Sequence, residues 1–129
     1  MAAVGDVMSG NLLTVEPTTE LAAAARNMTD RGVGAAVVLS GGSVSGILTE
    51  RDVLRAVATG SVEGTRVAAW MTRDPETVDA SESTARAAAL MIHGGYRHLP
   101  VVDGGKPVGI VSIRDLMRVV VDDESPRGV

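Results

Sequence analysis

Two short stretches carry the residue types best suited to chemistry. Gly46 to Asp52 reads GILTERD and Gly109 to Asp115 reads GIVSIRD, sixty-three positions apart, so an apolar run twice ends in a hydroxyl residue, then Arg and Asp. A hydroxyl residue at the start of a helix with an acid three residues on forms a capping box, in which each side chain serves a free backbone N–H of the first turn. Thr49 with Asp52 and Ser112 with Asp115 fit that pattern with no ligand at all. The same place also suits an anion, because a helix N-terminus presents unpaired N–H groups and the positive end of its dipole. A carboxylate one turn in accepts two hydrogen bonds from a cis-diol, such as the 2′,3′-hydroxyls of ribose. A ribonucleotide would satisfy both features. Arg51 and Arg114 stand inside the two motifs, where each either reaches a phosphate with its fork of donors or pairs with a nearby acid at the surface.

The elements that position these motifs are written twice. Shifting the sequence by 63 aligns residues 4–57 with 67–120 without a gap, and 18 of the 54 pairs are identical. Chance would give about one identity in fifteen for a chain this rich in Ala, Val and Gly, so duplication explains the match. The shared pairs include Met8 with Met71, Thr14 and Val15 with Thr77 and Val78, Met28 with Met91, and Gly32 with Gly95. A repeat of this kind sets the architecture.

Within each unit the local signals are consistent. LLTVEPTTE predicts a short strand stopped by Pro17, and Leu21, Ala24, Ala25 and Met28 fall at helical spacing before Gly32 as a C-cap. AAVVLSGGSVSGIL is two apolar runs broken by Gly41-Gly42, a hairpin signal, and TERDVLRAV follows as a helix. The second unit repeats the order, which gives strand, helix, strand, strand, helix in each half: an α/β fold of two β-α-β-β-α units. The first repeat is assigned to residues 1–63, the second to 64–121, and the acidic DDESPRGV of residues 122–129 to a flexible tail. A unit of about 60 residues is marginal alone, so the halves are expected to pack about a pseudo-twofold axis.

Composition narrows the function classes. Hydrophobic residues make up 45% of the 129 but aromatics only 2%, so small aliphatic side chains must fill the core. A net charge of -4, with 12 Lys and Arg and no basic run, disfavours nonspecific nucleic-acid binding. The absence of Cys excludes disulfides and thiol chemistry and agrees with a reducing compartment. The opening MAAVGDVM has no signal-peptide pattern and no run approaches the ~18 apolar residues of a membrane span, so a cytoplasmic protein with no membrane association is expected.

On these residues the chain resembles a tandem pair of CBS domains, the cystathionine β-synthase module, over about residues 4 to 120. Its pattern of Gly, two apolar residues, Ser or Thr, two residues and Asp is matched by both heptapeptides. The resemblance implies clefts between the halves that bind an adenosine-containing ligand such as AMP, ADP, ATP, S-adenosylmethionine or NAD, without catalysis and with no required cofactor. By position it makes Asp52 and Asp115 ribose ligands with Thr49 and Ser112 beside them. Thr14, Val15 and Ala36, with Thr77, Val78 and Pro100, would line the base pockets. Arg97 and His98, standing where the first repeat has Gly34 and Ala35, would face phosphate together with Arg51 and Arg114, which leaves the first pocket either weak or suited to a less charged ligand. The family also implies a disc-shaped homodimer, for which the AAAA face of the first helix is one candidate surface, and an effector protein not identified by sequence.

Other constellations point to no chemistry. His93 and His98 have no Cys or acid cluster at ligand spacing, so no metal site is expected. The SGGS and DGGK turns lack the spacing of a phosphate loop, and no Ser sits in a nucleophile elbow. The Met residues fit core positions, and Trp70, the counterpart of Val7, is expected to cover the junction of the halves. The rival to a sensor is a dimerisation scaffold whose capping boxes hold the fold and whose clefts stay empty; a nucleotide hydrolase and a nucleic-acid binder are weaker rivals.

Overall fold

The computed structural model describes residues 2–124. The chain runs α1 (Val4–Val7), β1 (Thr14–Val15), α2 (Leu21–Arg31), β2 (Ala35–Ser40), β3 (Ser43–Thr49), α3 (Glu50–Ala58), a 3-10 turn (Val67–Ala69), β4 (Thr72–Arg73), β5 (Val78–Asp79), α4 (Thr84–Gly94), β6 (His98–Asp103), β7 (Lys106–Ser112) and α5 (Ile113–Glu124). Each repeat holds the strand, helix, strand, strand, helix order read from the sequence. Helix α5 continues to Glu124, three residues into the stretch assigned to a tail; residues 125–129 of that stretch lie outside the described residues.

The hairpins form where two glycines meet. Gly41 and Gly42 take φ of 59° and 83°, and Gly104 and Gly105 take 59° and 82°. Two successive positive φ values are what a tight turn needs if the flanking strands are to keep their right-handed twist, and only glycine adopts them without strain. β2 and β3 therefore pair antiparallel with Ala35 opposite Thr49, and β6 and β7 with His98 opposite Ser112. The parallel strands β1 and β5 add to the outer edges of β2 and β6.

The sequence repeat and the structural half do not coincide at their leading segments. Strand β4 belongs to the second repeat, yet it pairs with β3 and gives the first sheet the order β1-β2-β3-β4. In return, Ser9 of the first repeat bridges Ile110 on β7, donating its N–H to the Ile110 carbonyl at 2.8 Å and accepting back at 3.1 Å. The cores follow the same exchange. Val67 is buried with Leu21, Met28 and Leu48 of the first half, with Trp70 and Met71 packed on them. Val4 is buried with Met91, Leu99 and Val111 of the second half, with Val7 and Met8 against them. Trp70 thus packs on the core of the half to which its own repeat does not belong. Full burial of a Val such as Val4 or Val67 contributes about 1.5–3 kcal/mol, so each crossing segment adds to the stability of the half it enters.

The crossing segments come close enough to require glycine on the receiving strand. A Cβ on Gly46 would meet Met71 Sδ at 2.6 Å and the Thr72 carbonyl at 2.9 Å; one on Gly109 would meet Met8 Sδ at 2.6 Å and the Ser9 carbonyl at 2.7 Å. These are the glycines that open the two heptapeptides. Between the sheets, Ala35, Val37, Ile47 and Ile110 form a third buried cluster, so the same strand of each repeat faces the other across the middle of the molecule.

Candidate functional site

The heptapeptides deliver both carboxylates to the strand-to-helix junctions, and there the copies diverge. Asp52 Oδ2 accepts the Thr49 N–H at 2.8 Å and the Thr49 hydroxyl at 3.1 Å, and the residue is only 8% exposed. Asp115 Oδ2 accepts the Ser112 N–H at 2.8 Å, while the Ser112 Oγ accepts the Asp115 N–H at 3.1 Å. The Thr49 hydroxyl proton is therefore committed to its own aspartate, whereas the Ser112 hydroxyl proton remains available to donate. Asp115 Oδ1 has one neighbour of opposite charge, Arg118 Nη1 at 3.6 Å, the single ion pair among the described residues. The Arg118 side chain is 68% exposed, so that pair is weak and easily exchanged for a ligand.

Asp115 faces a cleft of about 750 Å³ and Asp52 is not among the residues that line it. The cleft also takes in Ser112, Arg97, His98 and Arg114, so five residues predicted from the sequence converge there. Its apolar wall comes mainly from the other half: Ala25 and Met28 of α2, Val33 and Ala35 ahead of and in β2, and Val53 of α3, joined by Ile110. Three guanidinium groups, from Arg97, Arg114 and Arg118, stand in one space with a partly free carboxylate and a free hydroxyl proton. Chemically this set suits a molecule with a diol, a flat apolar body and an anionic tail.

His98 has its own electrostatics. Burial holds its imidazole below the ordinary histidine value; Glu50 and Asp115 pull upward and Arg97 adds to the depression. The ring is therefore neutral at neutral pH and offers one N–H and one acceptor to the cleft.

The remaining expected site residues are placed elsewhere. Thr14 and Val15 line a second depression of about 460 Å³ beside the Gly41-Gly42 turn, with Glu16, Thr19 and Asn27. Ala36 is fully buried in the first core, and Val78 in the second. Thr77 is exposed and lines neither cavity. Pro100 is buried on β6 as the ladder partner of Ile110 and does not itself line the cleft; by the repeat its counterpart is Val37, and that of Ala36 is Leu99. Arg51 is exposed, forms no ion pair among the described residues and lines neither cavity, unlike Arg114.

Sequence reasoning did not assign Glu50, Arg118, Ala25 or Val53 to the site, yet all line the cleft. Arg118 had a signal, since an acid followed three residues later by Arg on a helix is a recognisable pair. The first-half apolar residues had none, because only the tertiary arrangement sets them across from Asp115. Among the described residues, no group of three His, Cys, Asp or Glu is placed to hold a metal ion, and no helix is long and apolar enough to cross a membrane.

Comparison with known proteins identifies the fold. A putative signal-transduction protein with CBS domains from Burkholderia ambifaria has a solved structure that superposes with a TM-score of 0.88 at 36% identity, covering 99% of this chain and 100% of that one. The structure of CBSX2 from Arabidopsis thaliana in complex with AMP matches with a TM-score of 0.80 at 27% identity over 95% and 98% of the two chains. The CBS domain pair of protein MJ0100, in complex with 5′-methylthioadenosine and S-adenosyl-L-methionine, matches with a TM-score of 0.85 at 25% identity over 92% and 99%. The family model of the CBS domain matches residues 4–59 and again 67–122, and with both repeats accounted for, this chain belongs to the CBS domain family as a tandem pair.

Proposed function

We propose that the chain is a regulatory module that binds an adenosine-containing ligand in the Asp115 cleft and performs no chemistry on it. The observation that carries this reading is the gathering of Asp115, Ser112, Arg97, His98 and Arg114 around one cleft of about 750 Å³, large enough for a nucleotide. In this reading Asp115 Oδ1 leaves Arg118 to accept a ribose hydroxyl, Ser112 donates to ribose or phosphate, and the guanidinium groups of Arg97 and Arg114 hold the phosphate. Met28, Val33, Val53 and Ile110 take the adenine face. AMP, ADP, ATP, S-adenosylmethionine and NAD share the adenosine part, and solved relatives hold AMP, or S-adenosylmethionine with 5′-methylthioadenosine. Asp52 and Thr49 bind ligand weakly or not at all, because neither lines the cleft and the Thr49 hydroxyl proton is held by Asp52 Oδ2.

A homodimer completes the proposal. Leu54 on α3 and Met117 on α5 are repeat counterparts, 68% and 51% exposed, and Val57 lies one turn from Leu54. An apolar patch repeated on both helices suits coverage by a second copy, and a ligand that prefers one arrangement of the copies would transmit its binding to an effector protein in the cytoplasm.

Thermal melts and calorimetry with AMP, ATP, S-adenosylmethionine and NAD test the reading, because a true ligand raises the melting temperature with its concentration. A cis-diol site is expected to bind 2′-deoxy-AMP at least about tenfold more weakly than AMP, since a carboxylate oxygen then loses its partner. A flat ligand panel, or equal affinity for the two sugars, contradicts it.

A further inference from the structure

The Asp115 cleft is not uniformly basic. Glu50, the first residue of α3, lines it together with Arg97, Arg114 and Arg118. Its N–H donates to the Gly34 carbonyl at 3.0 Å, and its carboxylate folds back over that glycine, with Oε1 3.4 Å from the point a Gly34 Cβ would occupy. Gly34 is the repeat counterpart of Arg97, so the acid occupies the side of the cleft where the first half carries no base. Of the charges acting on the His98 ring, that of Glu50 has the largest effect. The single ion pair among the described residues is Arg118 with Asp115, so no Arg of the cleft neutralises Glu50. At the corresponding position the second repeat has Ile113. The cleft thus contains one negative charge that the duplicated design does not require.

We propose that Glu50 is a specificity-determining residue that limits the negative charge the cleft accepts, favouring an adenosine monophosphate over the triphosphate. The inference rests on the reading of Asp115 as the ribose site and adds the choice of tail. An α-phosphate beside Arg97 and Arg114 leaves little anionic charge to approach Glu50, whereas β- and γ-phosphates extend the tail with further charge that the carboxylate repels. Discrimination of this kind works by penalising the wrong ligand and needs no contact with the right one. Glu50 is exposed, so salt screens its effect and the preference is several-fold.

Calorimetric titration of the wild type and of Glu50→Gln with AMP and with ATP at pH 7.5 reads the effect. Glu50→Gln is expected to strengthen ATP binding about fivefold and AMP binding less than about twofold, with the difference shrinking as salt is raised. Glu50→Ile, which installs the side chain found in the other repeat, is expected to shift the ratio the same way, and a melt without ligand checks that both variants fold. An unchanged AMP-to-ATP ratio in both variants overturns the inference while leaving the ribose site in place. Equal weakening of both ligands overturns it in favour of a purely structural Glu50. Failure of wild-type protein to bind either nucleotide removes the ribose-site reading, and the inference with it.

Discussion

Asp52 and Asp115 close the same heptapeptide in two copies of one unit, yet Asp52 is buried, accepts twice from Thr49 on Oδ2 and does not line the cleft, while Asp115 lines it with Oδ1 held only by an exposed Arg. The motif keeps its structural role in both places, because a strand that turns straight into a helix needs its first N–H groups satisfied wherever it occurs. The proposed ligand role depends on the neighbours. Around Asp115 the opposite half supplies the small residues Gly34 and Ala35, and its own half supplies Arg97 and His98. By the repeat, Asp52 is offered the reverse: Arg97 and His98 from across the axis and nothing basic at Gly34 and Ala35. What distinguishes Asp115 is that it lines the cleft that gathers the small Gly34 and Ala35 with the basic Arg97 and His98, whereas Asp52 is not among the lining residues.

The comparison can be broken first through the segments that cross between the halves. Gly109→Val and Gly46→Val each drive a side chain into backbone and a Met of the crossing segment, and each is expected to lower stability by about 2–3 kcal/mol, read by denaturant unfolding. If either is neutral, the exchange of leading segments is not what holds the sheets.

A smaller effect sharpens the electrostatic difference. Arg97→Ala is expected to weaken ADP and ATP about tenfold, or about 1.4 kcal/mol, and adenosine less than about twofold. Equal losses for all three would assign Arg97 to packing. The smallest effect is on pH dependence. Burial holds His98 below the ordinary imidazole value, so on acidification the unfolded chain takes up that proton before the folded one does. Stability at this site is thus complete above the usual histidine pKa of about 6.5 and falls as the pH drops below it. His98→Gln is expected to flatten that part of the stability profile, and an unchanged profile would remove the burial of His98 as its cause.

Much of this architecture is legible in the sequence because it rests on local rules. The Gly41-Gly42 and Gly104-Gly105 pairs mark hairpins, Pro17 follows the end of β1, and the spacing of Leu21, Ala24 and Met28 marks the buried face of α2. The crossing of Val4–Val7 and of Val67–Ala69 to the opposite halves is not legible, for a physical reason. The two leading segments share their anchoring residues, Val4 with Val67 and Met8 with Met71, so the local pattern does not say which core each enters. The site was legible in the same proportion. Asp115, Ser112, Arg97, His98 and Arg114 follow from motif and repeat, but Thr14 and Val15 lie on a separate depression, and the apolar wall supplied by Met28, Val33 and Val53 depends on how the halves meet.

The most direct measurement of the central claim is the affinity of AMP for Asp115→Asn and Asp52→Asn by calorimetry. The account predicts that Asp115→Asn weakens AMP by at least about tenfold, while Asp52→Asn lowers the melting temperature through a lost cap but leaves affinity within about twofold. Equal losses of affinity in the two variants, or a loss confined to Asp52→Asn, would contradict it.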